Sequence, residues 1–265
     1  MAVDESILEH IQRGEAQPTL RLYAWNPPCL SLGHAQSFKD VDVARLRSKG
    51  WDVVRRLTGG RAILHTDELT YSVTGSIDEP VLSGGVLESY NRLAQALMFA
   101  ALDIGLPVEM NVGHASSMTS QNQSSHAASA TYVNPVCFEV PSTYEITVNE
   151  KKLIGSAQAR KKEGVLQHGS LPLTGDLTRI CQALVFENES ARENAAQRLL
   201  SRATTVESVL GKEINWETAA QSFVHGFETQ LGINFERGEL SESESARADE
   251  LVKEKYANPA WTERI

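Results

Sequence analysis

Cys137 and Lys152 are the residues whose types and positions could perform nucleophilic chemistry. Cys137 precedes a Pro-Ser pair at which the chain can turn, and Lys152 begins the return strand of a predicted hairpin. A nearby ammonium group favours the thiolate form of a cysteine, and the thiolate is the nucleophile in covalent catalysis. Each residue also has a structural interpretation, the cysteine as core packing and the lysine as a solvated pair with Lys151. The spacing alone leaves these interpretations open.

The segment RRLTGGRA, residues 55–62, could form a ligand-binding turn. Gly59 and Gly60 permit a tight turn and a close approach of backbone N–H groups to a carbonyl or phosphate oxygen, and Arg56 adds positive charge. The segment matches neither the Walker motif nor the GxGxxG fingerprint. The alternative is a plain connection between two strands, with exposed arginines.

A run of small residues, Gly155, Ser156 and Ala157, lies in the predicted return strand of the hairpin. Small side chains let an extended ligand, or another strand, lie against the backbone. His65 and His168 stand in strand-like contexts, where each could be a pocket residue or a satisfied core group. The histidines and cysteines lack the spacing of a metal site, so no metal is expected.

Hydrophobic periodicity predicts the elements that must position these residues. Strands are predicted for residues 19–25, 29–33 and 52–56, as a pair across 61–74, and for 143–148, 152–160 and 164–171. Helices are predicted for residues 4–13, 40–49, 87–102, 177–184, 216–231 and 244–256. The order predicts an α+β fold, in which a mixed, mostly antiparallel sheet is flanked by helices.

Residues 113–131 consist of Ser, Ala, Gln, His and Asn with almost no large apolar side chain, which predicts a mobile loop. No other segment has the composition of a linker, and no internal repeat is present. We therefore expect a single domain over residues 1–265, with a helical C-terminal portion from residue 176.

Composition and charge narrow the possible classes of protein. The chain has 265 residues, of which 41% are hydrophobic, and a formal net charge of −9, which argues against a nucleic-acid-binding protein. Local basic clusters occur at residues 55–56, 151–152 and 160–162. Apolar runs fall short of the roughly 20 residues that a membrane span needs, and the first residues do not resemble a signal peptide. We expect a cytoplasmic protein that binds neither membranes nor nucleic acid.

Cys29 lies in an apolar strand and Cys181 lies beside apolar residues of a predicted helix. Both are expected to be buried. With Cys137 they make three cysteines, which cannot form a disulfide framework without one left over.

Four segments, in order, resemble one family. RRLTGGRAILHTDELTYSV resembles the signature of the biotin/lipoate protein ligase (BPL/LPL) superfamily. CFEVPSTYEI, followed by KKLIGSAQARKKEGVLQHGSL, resembles its lipoate-ligase and octanoyltransferase branch, as do TLRLYAWNPPCLSLGHAQ and EKYANPAW. The resemblance covers almost the whole chain and implies a BPL/LPL catalytic domain, related in fold to class II aminoacyl-tRNA synthetases and biotin synthetase.

Within this branch, the sequence most resembles octanoyltransferases of the LipM type. The resemblance implies that an octanoyl group passes from octanoyl-acyl carrier protein to Cys137 as a thioester, and then to a lysine of a lipoyl-domain protein, such as the glycine-cleavage H protein. Lys152 would lower the pKa of the cysteine, and no cofactor is expected. The implied acyl-binding residues are Arg56, Gly59, Gly60, His65, Gly155, Ser156 and Ala157.

Three alternatives remain open at this point. One is an ATP-dependent lipoate ligase, in which Lys152 would contact an adenylate and Cys137 would be incidental. Another is an amidotransferase that moves octanoyl or lipoyl groups from H protein to E2 subunits. The third is a binder of acylated domains without catalytic activity. For the octanoyltransferase, whose carrier protein is acidic like this chain, we expect the basic cluster at residues 160–162 to face the donor or the acceptor.

Overall fold

Two β-sheets and the helices packed on them make up the residues that the computed structural model describes, 1–111 and 145–265. The described strands are β1 (Thr19–Tyr23), β2 (Cys29–Leu32), β3 (Asp52–Arg55), β4 (Ile63–His65), β5 (Glu68–Ser76), β6 (Glu109–Asn111), β7 (Glu145–Val148), β8 (Lys151–Lys161) and β9 (Gly164–Pro172). The described α-helices are α1 (Ala2–Gln12), α2 (Val43–Ser48), α3 (Val86–Asp103), α4 (Glu189–Arg202), α5 (Val206–Leu210), α6 (Trp216–Leu231), α7 (Glu242–Leu251) and α8 (Pro259–Thr262).

The larger sheet has the strand order β1-β5-β9-β8-β7-β6, and each neighbouring pair is antiparallel. The smaller sheet has the order β3-β2-β4, in which β2 runs parallel to β3 and antiparallel to β4. The α+β class and the mixed, mostly antiparallel sheet flanked by helices are therefore confirmed.

Alternation along the strands gives the larger sheet two different faces. In β5, Leu69, Tyr71 and Val73 belong to the main core, which α3 and α6 help to form. The intervening Ser72 is on the other face, where its hydroxyl donates to Asp4 of α1 at 2.7 Å. Helices thus cover both faces, but the face toward α1 and the smaller sheet carries polar side chains.

A β-bulge lies in the hairpin of β7 and β8. Ile154 pairs with Ile146, but the next pair is Lys152 with Thr147, so Leu153 is an extra residue on β8. Since one extra residue shifts the alternation of side chains, the bulge changes which residues of β8 share a face. Lys152 lies on the face opposite to Ile154, and that face carries polar side chains.

Most predicted elements occur within a few residues of their predicted ends, and α6 matches residue for residue. Its N-cap is Asn215, whose side chain accepts from the backbone N–H of Thr218 at 2.8 Å, as the sequence indicated. The segment predicted as a mobile loop, residues 113–131, lies outside the described residues. The single domain over residues 1–265 stays a prediction.

Four local predictions were wrong or incomplete. The two strands within residues 61–74 do not pair with each other, because β4 joins β2 in the smaller sheet and β5 lies between β1 and β9 in the larger one. The helix predicted for residues 40–49 is a 3-10 turn, Phe38–Asp40, followed by α2, and the helix predicted for residues 177–184 is a 3-10 helix, Leu177–Gln182. The predicted helix 244–256 ends in a π-helical turn, Val252–Tyr256. Helix α4 was missed because only Arg192, Ala195 and Leu199 of it are buried, too few for a clear periodicity.

No helix among the described residues is long and apolar enough to cross a lipid bilayer.

Candidate functional site

A cavity lies between the polar face of the larger sheet and the smaller sheet. Its empty volume, including open solvent at the mouth, is about 440 Å³. Six of the seven predicted acyl-binding residues line it: Arg56, Gly60, His65, Gly155, Ser156 and Ala157. Gly59 is not in its wall, although it belongs to the same turn as Gly60. The structure thus brings predicted residues from two separate segments to one cavity. Their binding of an acyl group stays a prediction.

Arg56 closes the glycine turn. Its guanidinium donates to the carbonyl oxygens of Gly59 at 2.8 Å, Arg61 at 2.7 Å and Ser31 at 2.9 Å. Gly60 has φ of +89°, and a Cβ there would lie 3.0 Å from the Arg56 guanidinium, so both backbone conformation and space favour glycine. Arg56 is therefore buried and acts as a structural clamp on the cavity wall.

Arg55 is fully buried on the other side of the same turn. It donates to the carbonyl oxygens of Gly33 at 3.0 Å, Gln36 at 2.6 Å and Thr262 at 2.8 Å, and so ties the turn to the C-terminal segment. The basic cluster at residues 55–56 is therefore not on the surface, and the alternative of exposed arginines was wrong, because both guanidinium groups are buried and donate to carbonyl oxygens of the surrounding loops.

Two hydrogen bonds and one stacking contact fix the imidazole of His65. Its Nδ1 donates to the Glu68 carboxylate at 2.5 Å, and its Nε2 lies 2.7 Å from the hydroxyl of Ser31. The indole of Trp25 stacks on the imidazole with 4.3 Å between ring centres. Thr70 donates to Glu68 and accepts from the Trp25 indole N–H, which completes the chain of hydrogen bonds. His65 is thus a rigid wall residue of the cavity.

His168 also lines the cavity, but only one of its ring nitrogens is engaged. Its Nε2 lies 2.6 Å from the hydroxyl of Thr58. Burial lowers the pKa of His168 to about 3, and the neighbouring Arg56 charge acts in the same direction, so the imidazole is neutral near pH 7. Within the described part of the chain, His168 Nδ1 and Ser170 Oγ are buried without a hydrogen-bond partner.

Lys152 forms a buried ion pair with Glu145. Its Nζ lies 2.6 Å from Glu145 Oε1, and both side chains are about nine-tenths buried or more. Because of the bulge at Leu153, Lys152 is on the same face of β8 as Gly155, which lines the cavity. The sequence analysis missed Glu145, although an acidic residue in the strand facing Lys152 was a usable signal. Cys137 lies outside the described residues.

Cys29 and Cys181 are both buried, as predicted. Burial raises the pKa of Cys29 to about 12, and the nearby Asp52 charge adds to this effect. Both thiols are packed among apolar side chains of the core.

The basic cluster at residues 160–162 is partly engaged within the chain. Arg160 donates to the carbonyl oxygen of Leu82 at 2.6 Å and to the hydroxyl of Ser89 at 2.7 Å. Lys161 lies 3.1 Å from the carboxylate of Glu5. The role of this cluster toward a partner protein stays a prediction.

Known proteins resemble this chain over its whole length. The family described as "Lipoyl protein ligase A/B catalytic domain" matches residues 1–228. A relative from Moorella thermoacetica and one from Symbiobacterium thermophilum, both described as "Octanoyltransferase LipM", are 40% and 37% identical to it. Each alignment covers all of this chain and 93% of the relative.

Solved structures share the fold. One is described as a bipartite lipoate protein ligase and its E2 lipoyl domain from Thermoplasma acidophilum, with a TM-score of 0.78, 23% identity, and coverage of 99% of this chain and 89% of that chain. Another is described as lipoate-protein ligase A bound with ATP, with a TM-score of 0.74, 24% identity, and coverage of 99% and 92%. Identities this low show the fold alone, and they confirm the predicted architecture.

Proposed function

Since the chain belongs to the lipoyl protein ligase A/B catalytic domain family, we propose that it is an octanoyltransferase of protein lipoylation. The observation that carries the proposal is the 40% identity, over all 265 residues, to a relative described as an octanoyltransferase. The cavity supports it, because residues of the two segments that resemble the family's motifs line the same space.

The cavity suits a medium-length acyl chain. Burying an eight-carbon chain yields about 0.8 kcal/mol per methylene, or roughly 5 kcal/mol for its six methylenes. Gly155 and Ala157 offer small side chains on the larger sheet, so an extended chain can lie along the backbone of β8. Clamped groups such as Arg56 and His65 keep the opposite wall in place.

In the proposed reaction, the donor is octanoyl-acyl carrier protein and Cys137 is the nucleophile. The Cys137 thiolate attacks the carbonyl carbon of the donor thioester, the bond to the carrier sulfur breaks, and the carrier leaves as a thiol after taking up a proton. The amine of an acceptor lysine then attacks the new thioester, an amide forms, and the lysine proton returns to the Cys137 sulfur. Bonds and protons therefore balance without a cofactor.

Lys152 is the proposed catalytic partner of Cys137. An ammonium group close to a thiol favours the thiolate form, which is the reactive one. Lys152 is suited to this task because Glu145 and the bulge hold its side chain on the face of the sheet that lines the cavity. Glu145 is then a positioning residue, since it acts through Lys152.

The proposed acceptor is a lipoyl-domain protein, with the glycine-cleavage H protein as the first candidate. Exchange between thioesters is close to balanced in free energy, whereas the final amide is more stable, so transfer does not need ATP. An ATP-dependent ligase would need free acid and ATP instead. The requirement for ATP therefore separates the two activities.

Purified protein incubated with octanoyl-acyl carrier protein and apo-H protein tests the proposal. We expect octanoyl-H protein to form at the same rate with and without ATP, as measured by mass spectrometry of the intact acceptor. We also expect a mass shift of one octanoyl group on the enzyme when the acceptor is omitted, and peptide mapping should place it on Cys137.

Cys137→Ala should abolish both signals, and Cys181→Ala is the matched control that should keep them. Product formation by Cys137→Ala at the wild-type rate would contradict the thioester step. Product that forms only with free octanoate and ATP would replace the proposal with a ligase.

A further inference from the structure

Two residues of the cavity wall each carry a buried polar atom without a partner among the described residues, while other polar groups of the wall, such as Arg56 and His65, are paired. The atoms are Ser170 Oγ and His168 Nδ1, and neither forms a hydrogen bond within the described residues. Ser170 is fully buried and His168 is 5% exposed. Because buried polar groups in native proteins are nearly always satisfied, such a pair in a cavity wall points to a bound ligand atom.

The positions of the two residues let them reach one atom together. They are two residues apart on β9, so their side chains are on the same face with Cα atoms roughly 6.6 Å apart. Gly155 is the strand partner of Ser170, and Ala157 is the partner of His168. The absence of large side chains at these two partner positions leaves the space in front of Ser170 and His168 open to a ligand.

Ser170 and His168 can each offer a hydrogen-bond donor. The hydroxyl of Ser170 can donate directly. At His168, Nε2 lies 2.6 Å from the Thr58 hydroxyl, and we assign this hydroxyl as the donor. A neutral imidazole whose Nε2 accepts a hydrogen bond carries its proton on Nδ1. Two converging donors are suited to an oxygen with two lone pairs.

Strand register places this donor pair near the Lys152 ion pair. Gly155 pairs with Ser170, and its neighbour Ile154 pairs with Ile146, which is next to Glu145. Ser170 is therefore two strands from Glu145, or roughly 10 Å across the sheet. The carboxylate of Glu145 holds the Lys152 ammonium on the same face.

We propose that Ser170 and His168 form a two-donor site for the carbonyl oxygen of the bound acyl group. The site rests on the proposed octanoyl transfer and deepens it. When a nucleophile bonds to the carbonyl carbon, the C=O π electron pair moves onto this oxygen, and it returns when the thiol leaves. Both donors strengthen as the charge develops, so they favour the tetrahedral stage over the ground state.

A pair of unreactive probes isolates the contribution of the oxygen. N-(4-oxoundecyl)acetamide presents an octanoyl ketone in which CH₂ replaces the thioester sulfur, and N-undecylacetamide lacks the ketone oxygen. Calorimetry should show that the wild type binds the ketone about tenfold more tightly than the oxygen-free probe, as two hydrogen bonds of ordinary strength would give. Ser170→Ala should weaken binding of the ketone about threefold and leave that of the oxygen-free probe unchanged.

Thr58→Val is a second variant that does not touch the ligand. It removes the donor to His168 Nε2, so the imidazole is free to carry its proton there and Nδ1 becomes an acceptor. We expect weaker binding of the ketone alone. In turnover, Ser170→Ala should lower kcat by about a hundredfold with little change in KM, as loss of an oxyanion donor does.

Equal losses for both probes, or no loss in either variant, overturn the carbonyl site. If the wild type transfers octanoyl groups but binds both probes equally, the site is overturned and the proposed function stands. If the wild type discriminates between the probes but transfers nothing, the site stands as a carbonyl-binding site and the octanoyltransferase proposal falls. Failure to bind either probe, together with no transfer, overturns both.

Discussion

The two walls of the cavity differ in how their polar groups are satisfied. On the smaller sheet and its glycine turn, Arg56 and His65 bind carbonyl oxygens, a hydroxyl and a carboxylate of the same chain. On β9 of the larger sheet, Ser170 Oγ and His168 Nδ1 bind nothing among the described residues. The contrast separates groups that build the cavity from groups available to its ligand, even though both sets are equally buried.

The largest effect on stability is expected behind the satisfied wall, at Arg55 on the other side of the glycine turn. Arg55→Ala removes donors from three buried carbonyl oxygens and leaves a cavity, so it should lower the free energy of unfolding by about 4 kcal/mol. Urea denaturation measures the change. Arg13→Ala, at an exposed ion pair, is the control and should change the free energy by less than about 0.5 kcal/mol. Similar values for the two variants would contradict the role of Arg55 in tying the glycine turn to the C-terminal segment.

Glu145→Gln tests the positioning of Lys152. The substitution leaves a buried ammonium with an uncharged neighbour, which should lower the free energy of unfolding by about 3 kcal/mol. Transfer activity should fall mainly in kcat, since the lysine loses its fixed position. Glu109→Gln, on the neighbouring strand, is the control. Wild-type kcat in Glu145→Gln would exclude a positioning role.

The buried imidazole of His168 should make stability depend on pH. Its pKa is lowered to about 3 in the folded protein, so between the ordinary value near 6.5 and 3 only the unfolded chain binds this proton. Stability therefore falls as the pH is lowered through that window, by about 2 kcal/mol between pH 7.5 and 5 from this residue. Denaturation curves of wild type and His168→Gln should show the smaller pH slope in the variant. Parallel slopes would contradict a buried neutral histidine.

Two buried serines give the smallest and sharpest comparison. Ser31 accepts from Arg56 and contacts His65, whereas Ser170 has no partner in the described residues. Ser31→Ala should cost about 1 to 3 kcal/mol in the free energy of unfolding, because it breaks satisfied hydrogen bonds. Ser170→Ala should cost less than about 0.5 kcal/mol, or stabilise the ligand-free protein, because it removes an unsatisfied group. Equal costs in thermal denaturation would remove the distinction between the walls.

The sequence predicts well those elements whose signals are local. The run of α6 is bounded by the Asn215 cap and Gly232, and both signals act within one turn of the helix. The strand alternation of β7 to β9 is equally local. In contrast, the assignment of β4 and β5 to different sheets depends on long-range pairing with β2 and β9, which alternation does not encode.

Prediction of the site likewise succeeded where the signal is local and failed where it depends on long-range contacts. The resemblance to the family identified the glycine turn and residues 155–157, and the structure brings both to one cavity. The sequence did not show that the Arg56 guanidinium donates hydrogen bonds to oxygen atoms within the chain. Its partners Ser31 and Gly59 come together only through folding. Nor did it identify Glu145, Ser170 or the nearby bulge, which depend on strand register.

The single extra residue at the bulge, Leu153, determines on which face of the sheet the side chains before it in β8 lie. In regular alternation, residues three apart point to opposite sides of a strand, but Lys152 and Gly155 share a side. If β7 and β8 paired without the bulge, regular alternation over three residues would turn the ammonium group toward the main core. The bulge, more than the identity of the side chains in this stretch, therefore determines whether the lysine lies on the cavity side of the sheet.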